Sequence, residues 1–495
     1  MRIVDGRDIE TSLERDCDVV VVGSGPAGAT VARRLARQGC RVIVVEAGPW
    51  LQPSDFPDDM FSSLKMMFRE MASSLTSSWP PIPILQGVAV GGSSVINGSI
   101  CWRLPEYVHR EWCERDPALA DALPWEEIEA TFDGIEEDLH IGPSEYETAG
   151  RHNQLMAEGA EKLGYEHKPT DLNVRGDCEH GMRGCQEGNK MSMDRTYLPQ
   201  ACEKGATIVS STTVREILRE GGRATAVRGL TEGGGEVTVR AERGVVVAAS
   251  AVQTPALLQH NGITHGPVGE NLQAHPGSSV MGLFDEDVEM WRGATQGHET
   301  IEFRDEGIKM ETLGYNPTLA IMRMKTAGRE LAREVARLEQ WWNGGAAIKA
   351  QATGEVRAKV NGEAKAYFTP TDEDFLKLRK GVGKLGEVLL AAGAERVSLG
   401  MRGWHDVTSR GELERFQQEG PTDAESYEMI VSHLFGTCRM GSDPSENVVG
   451  TDFEHHQVDG LWVADSSVFP TNIGVNPQIS IIAMAMQCAD KILAA

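Results

Sequence analysis

No stretch of the 495-residue sequence runs to 18 apolar residues, so no membrane-spanning helix is expected. The opening MRIVDGRDIETSLERD lacks the apolar centre of a secretory signal, and a cytoplasmic protein is expected. Positive charge is in short supply: 48 Lys and Arg stand against 73 Asp and Glu, for a net charge of −25. That balance argues against a nucleic-acid partner and against an anionic membrane surface. Cysteine is sparse, odd in number at nine, and scattered, which suits a reducing compartment better than a disulfide framework. Cys178 and Cys185, with His180 near them, come closest to a metal-ligand cluster. A zinc or iron–sulfur site needs more ligands at tight spacing, so no metal is expected. There is no internal repeat and no low-complexity tract. A chain of this length, 40% hydrophobic, points to two intimately joined globular domains.

What is present concentrates first at residues 17–46. Val19 to Val22 form a short β run, and Gly23-Ser24-Gly25-Pro26-Ala27-Gly28 follows. Next come an Ala/Leu/Arg stretch at helical spacing, a second apolar run from Val42 to Val45, and Glu46. Strand, glycine turn, helix, strand and acid are the parts of a dinucleotide-binding βαβ unit. Gly23, Gly25 and Gly28 permit the tight bend and the close approach of a pyrophosphate to the helix N-terminus. Glu46 is at the distance where an acid accepts from a ribose hydroxyl. These residues point to an ADP-containing dinucleotide, either FAD or NAD.

Further along, Met60, Met66, Met67 and Met71 lie among serines, read as a helix and loops, with a substrate lid as the alternative. Gly91-Gly92-Ser93-Ser94-Val95-Ile96-Asn97-Gly98 is a run of mostly small residues that lets backbone N–H groups approach a ligand, a candidate second cofactor loop. Pro124-Trp125 reads as a helix start. Residues 206–247 have the rhythm of a β meander. Val214 is read at the end of its first strand, placed for a backbone contact to an adenine. Thr254 and Pro255 read as the cap and first residue of a helix. Between His275 and Tyr427 the pattern changes to β pieces, an Asn361-Gly362 hairpin signal, and helices over 318–341 and 371–393. Trp291, Trp341 and Trp342 fall there, as core or as pocket wall. Near the C-terminus come His433-Leu434-Phe435-Gly436, a short strand ending at Asp465, and Asn476-Pro477-Gln478 before a helix over 479–493.

Taken together these motifs resemble the glucose–methanol–choline (GMC) oxidoreductases. The resemblance runs from about residue 17 to the end. It is carried by the glycine turn with Glu46, by G-G-S-S-V-I-N-G at 91–98, by S-x-x-x-T-P-x-L-L-x-x-N-G from Ser250, and by H-L-F-G-T-C-R-M-G with V-A-D-S-S-V-F-P and N-P-Q. Gly269 to Pro276 is similar to a further family turn, with Ala274 where an acid is usual. The resemblance implies an α/β fold: a discontinuous Rossmann-like FAD-binding domain (1–100, 201–275 and 428–495) and an α+β substrate-binding domain built on a sheet (101–200 and 276–427). It implies FAD-dependent oxidation of an alcohol to a carbonyl, with hydride leaving to flavin N5 and His433 as general base. Asn476 takes the second active-site position. Asp465 and Pro477 match flavin-lining positions, and Gly91, Gly92, Ser93, Ser94 and Asn97 match the loop near the isoalloxazine. Some relatives attach FAD through a histidine of that loop; Ile96 stands there, so non-covalent FAD is expected.

The substrate is expected to be a hydrophobic or cyclic alcohol, or a sugar or glycoside hydroxyl. The electron acceptor is expected to be O2 or a quinone- or dye-like molecule. Two alternatives share the fold: a flavin-dependent lyase or decarboxylase, and a flavoprotein dehydrogenase subunit that passes electrons to a partner.

Overall fold

The computed structural model describes residues 1–495 apart from 177–180, 325 and 402. Cys178 and His180 of the cysteine-bearing loop therefore lie outside the described residues. The other eight cysteines carry free thiols, and no group of three metal-ligating side chains occurs among the described residues. Nor is any helix among them long and apolar enough to cross a membrane.

Two large sheets divide the mixed α/β chain. The first has eight strands, in the order Ile3–Asp5, Thr207–Ser210, Val42–Val45, Ser12–Val22, Glu236–Val247, Arg223–Thr231 and Thr212–Glu220, with Leu461–Val463 also pairing Glu236–Val247. Val19 to Val22 pair in parallel with Val42 to Val45 on one side and with Gly244 to Val247 on the other. All four valines are buried, as expected of a parallel strand covered on both faces. Helix Pro26–Arg37 lies over this sheet and against the C-terminal helix Gln478–Ala494. Residues far apart in sequence thus meet at the C-terminal ends of the parallel strands, where α/β folds bind ligands.

The second sheet has seven antiparallel strands: Arg396–Ser398, Gly277–Leu283, Trp341–Ile348, Ile308–Thr312, His298–Thr300 and His167–Pro169 in that order, with Met429–Ile430 against Gly277–Leu283. Helix Asp372–Ala392 covers one face, where a Cβ at Gly381 would touch Ile308 and Ala346. Alternation turns Lys309 and Glu311 to the other face, in register with Ala347 and Gly345 and, one strand further, with Gly277 and Ser279. That face is toward the cavity described below.

Several expectations from the sequence meet corrections. The helix read over 318–341 is two short helices, Pro317–Arg323 and Gly328–Val335, and Trp341 begins a central strand. Pairing with strands on both sides overrides the local periodicity. Trp341 and Trp342 are buried in the sheet core, and none of the three tryptophans lines the cavity. Val214 is the third residue of strand Thr212–Glu220, near its beginning rather than its end.

Thr254 and Pro255 do not start a helix. Helix Ser250–His260 begins four residues before Thr254, with Pro255 inside. The early start has a cause in Asp465, whose Oδ2 accepts from the Ser250 N–H at 3.0 Å and from Thr254 Oγ1 at 2.5 Å. Proline cannot donate to the carbonyl four residues back, which is that of Ala251. Thr437 Oγ1 donates to that carbonyl instead, at 2.7 Å.

Candidate active site

A cavity of about 740 Å³ runs between the two sheets. Its lining includes Gly23, Gly25, Glu46, Gly92, Ser93, Ser94, Asn97, Val214, His433, Asp465, Asn476 and Pro477. Two residues expected in the site, Gly28 and Gly91, do not line it. Gly28 shapes the turn from behind: a Cβ there would lie 2.0 Å from the Gly23 carbonyl oxygen. Gly91 holds φ at +106° and gives its N–H to Ser24 Oγ at 3.0 Å.

At the glycine-turn end, Ser24 ties three segments together. Its N–H and its hydroxyl donate to Glu46 Oε2 at 2.9 and 2.7 Å, while its oxygen accepts the Gly91 N–H. Glu46 Oε1 accepts the Gly48 N–H at 2.8 Å. Burial pushes the Glu46 carboxyl upward, and these hydrogen bonds oppose it. The two glycine loops touch, since a Cβ at Gly92 would lie 2.7 Å from Gly25 Cα. Arg69 also lines this end, and its buried Nε has no hydrogen-bond partner. The sequence reading missed both Ser24 and Arg69. Ser24 could have been found as the hydroxyl of the turn; Arg69 gives no local signal.

The second loop is held from beneath. Lys190 is buried, and its Nζ donates to the carbonyls of Val95, Asn97 and Gly181 at 3.1, 2.5 and 2.9 Å. The hydroxyl of Ser94 bridges the Gly91 carbonyl and the Met193 N–H at 2.6 and 3.0 Å, which commits it to the loop. Asn97 Nδ2 donates to Gln478 Oε1, joining the loop to the first residue of the C-terminal helix. Asn476 Oδ1 and Gln478 Nε2 are buried at this end without partners. Segment 68–77 borders the cavity through Phe68, Arg69, Glu70 and Leu75, but the methionines of 60–71 do not reach it.

His433 is half-buried and lines the cavity. Burial first, and the charge of Lys309 second, push its imidazole down to about 3. Beside it stands His275, which sequence reading took only as part of a family turn. Strand Glu270–Ala274 pairs with Leu434–Phe435, and the His275 N–H donates to the His433 carbonyl at 3.2 Å. The rings meet edge to face, Nδ1 to Nδ1 at 3.3 Å. His275 also falls well below the usual imidazole range, from burial, then the neighbouring His433 and Lys309. The site therefore offers two imidazoles held neutral and an asparagine, a set suited to moving or orienting a hydroxyl proton.

Residues 18–277 match the N-terminal profile of GMC oxidoreductases, and residues 350–485 match the C-terminal one. An uncharacterised GMC-type oxidoreductase of Mycobacterium tuberculosis strain H37Rv is 35% identical over 96% of this chain and 76% of its own. Long-chain-alcohol oxidase FAO4A of Arabidopsis thaliana is 28% identical over 96% of this chain and 68% of its own. Among solved structures, pyridoxine 4-oxidase from Mesorbium loti superposes with a TM-score of 0.74 at 19% identity, covering 97% of this chain and 99% of that one. A formate oxidase of Aspergillus oryzae does so with a TM-score of 0.72 at 17% identity, covering 97% and 98%. The two profiles and the 35% relative make the assignment: the chain is an enzyme of the GMC oxidoreductase family, with that family's fold.

Proposed function

We propose that the protein binds FAD without a covalent link and oxidises the CH–OH group of a small alcohol to a carbonyl, with His433 taking the hydroxyl proton. The single observation that carries this reading is the shared cavity, which joins the Gly23–Glu46 turn to His433 and Asn476.

The residues fit the cofactor at both ends. The helix N-terminus at Pro26, the close glycine loops and the unpartnered Arg69 Nε suit a pyrophosphate. Glu46 faces the same end and suits a ribose hydroxyl. At the other end, the orphaned Asn476 Oδ1 and Gln478 Nε2 are one acceptor and one donor for polar ring edges. Ile96 is buried in the second loop, and residues 91–98 contain no histidine, which supports non-covalent binding. FAD, when bound, supplies the acceptor for the two electrons and hydrogen leaving the alcohol carbon.

The protein's own part is proton transfer and orientation. Only neutral imidazole accepts a proton, and the depressed His433 is neutral at physiological pH. The Asn476 side chain cannot take a proton at neutral pH; its amide can donate to the developing alkoxide and hold it in place. Val214, at the turn end of the cavity, offers its backbone to an adenine. The substrate is a hydrophobic or cyclic alcohol, as the relative named a long-chain-alcohol oxidase suggests, or a sugar or glycoside hydroxyl. The electron acceptor is O2 or a quinone- or dye-like molecule.

The test is anaerobic. Alcohols are mixed with purified protein and the flavin absorbance is followed. Bleaching by an alcohol supports the reading; a flavin that no alcohol bleaches would point to the lyase or decarboxylase chemistry. Admitting air and following peroxide then separates O2 from a dedicated acceptor.

A further inference from the structure

We infer that the substrate is a polyhydroxylated alcohol, one of whose non-reacting hydroxyls is read by the Lys309–Glu311 pair. This rests on the alcohol-oxidation reading above and narrows its substrate class.

The strand Ile308–Thr312 carries both residues on the face toward the cavity, and both line it. Lys309 is 5% exposed, more deeply buried than lysines usually are. Its Nζ forms an ion pair with Glu311 Oε2. Neither atom has any other hydrogen-bond partner. An ammonium has three donors and each carboxylate oxygen about two acceptor positions, so Lys309 Nζ and Glu311 Oε2 both keep hydrogen-bonding capacity beyond their ion pair. Buried charges are costly unless paired and fully hydrogen-bonded. A hydroxyl is the group that suits both partners at once, because it accepts from an ammonium while donating to a carboxylate. A carboxylate or phosphate would satisfy Lys309 but oppose Glu311, and an ammonium would do the reverse.

The neighbouring strand leaves room for such a group. Opposite Lys309 and Glu311 stand Ala347 and Gly345, and beyond them Gly277 and Ser279. This row of small side chains opens the space in front of the pair. Gln296 and Tyr315 line the cavity as well, which adds polar groups to a wall that an alkyl chain would otherwise need to be apolar. An alkyl substrate pressed against this wall would cover the ion pair without compensating it, whereas a polyol would complete its hydrogen bonds.

Matched alcohols test this without any variant. Sorbitol is compared with 1-hexanol, and myo-inositol with cyclohexanol, within a panel of polyols each paired with its deoxy skeleton. Anaerobic flavin reduction and kcat/KM are measured for every member. The expected result is a preference for the hydroxylated partner of at least about 100-fold on the skeleton that the enzyme accepts. Glu311→Gln and Lys309→Gln should each shrink that preference at least about tenfold, chiefly through KM of the polyol. Alkanols equal to or better than their polyols would overturn the inference and leave alcohol oxidation standing. A preference unchanged in both variants would also overturn it. Absence of flavin reduction by every alcohol would sink the parent reading and this one together.

Discussion

His275 Nδ1 lies 3.3 Å from His433 Nδ1, while His275 Nε2 accepts the backbone N–H of Gly474 at 2.9 Å. A backbone N–H can only donate, so neutral His275 carries its hydrogen on Nδ1 and points it at His433. Neutral His433 accepts there and keeps its own hydrogen on Nε2. Were His433 to take a proton at Nδ1, as proposed, the contact between the two rings would have to open, and His275 would govern the tautomer of its neighbour.

The two histidines should therefore differ in what their loss costs. His433→Gln removes the group proposed to take the proton, and flavin reduction should slow about 100- to 10,000-fold. His275→Phe keeps a ring in place and removes the competing N–H together with the acceptor for the Gly474 N–H, neither of which takes the substrate proton, so the rate should stay within about tenfold of the parent. Anaerobic stopped-flow traces of the two variants decide it. Equal losses would mean that the imidazoles work as one relay.

The pH dependence follows from the depression of His433 to about 3. The proposed base is competent only when neutral, so activity should be lost as pH falls through the folded value. That value is far below the ordinary imidazole value of 6.5, and the reduction rate should be flat from about pH 5 to 8. Lys309→Gln removes one of the two causes, so the acid limb of that variant should move upward. An inflection near 6.5 in the parent enzyme would contradict a depressed, neutral His433. The same depression lets the unfolded chain bind more protons than the folded one between about pH 3 and 6.5, so this group lowers stability as pH drops through that window.

What could be read beforehand was what the chain encodes locally. The turn at Gly23, the acid at Glu46 and the hairpin at Asn361-Gly362 each depend on a few consecutive residues, and the Lys359 N–H does bond the Glu363 carbonyl across that hairpin at 2.7 Å. Helix Asp372–Ala392 was legible because a capping box at Thr371 and Asp374 and a glycine at 393 mark its ends. Lys309 and Glu311 were not. In sequence they are two charged residues in a short strand, and only pairing with Trp341–Ile348 turns them toward the cavity. His275 was named in a motif, yet its place beside His433 depends on strands more than 150 residues apart. Trp341 shows the converse, a residue whose helical surroundings give way to sheet pairing.

The mode of FAD attachment has a direct readout. With Ile96 at the loop position and no histidine between 91 and 98, acid precipitation should leave all of the yellow colour in the supernatant. Flavin retained in the pellet would mean a covalent bond elsewhere in the cavity. Loss of Lys190, which holds the carbonyls of Val95 and Asn97, should loosen this loop, and Lys190→Met should be purified with less flavin than the parent.

Pro255 and Thr437 offer a test of how the His433 segment is fastened to the helix beside Asp465. Pro255 sits inside helix Ser250–His260 and leaves the Ala251 carbonyl without its helical donor. Thr437 Oγ1 fills that vacancy from the segment that carries His433, and the hydroxyl is fully buried. Thr437→Val keeps the shape and removes the donor, so a buried carbonyl is stranded at a cost of about 1–3 kcal/mol in unfolding free energy. Pro255→Ala restores a backbone N–H four residues beyond Ala251, which can take up the same carbonyl. Thr437→Val should then cost less in the Pro255→Ala background than in the parent, a coupling that a double-mutant cycle of denaturant unfolding measures. Strictly additive effects would show that the carbonyl does not depend on Thr437. A coupled pair would show that a proline within a helix anchors the segment bearing the proposed base, by leaving one carbonyl that the distant threonine satisfies.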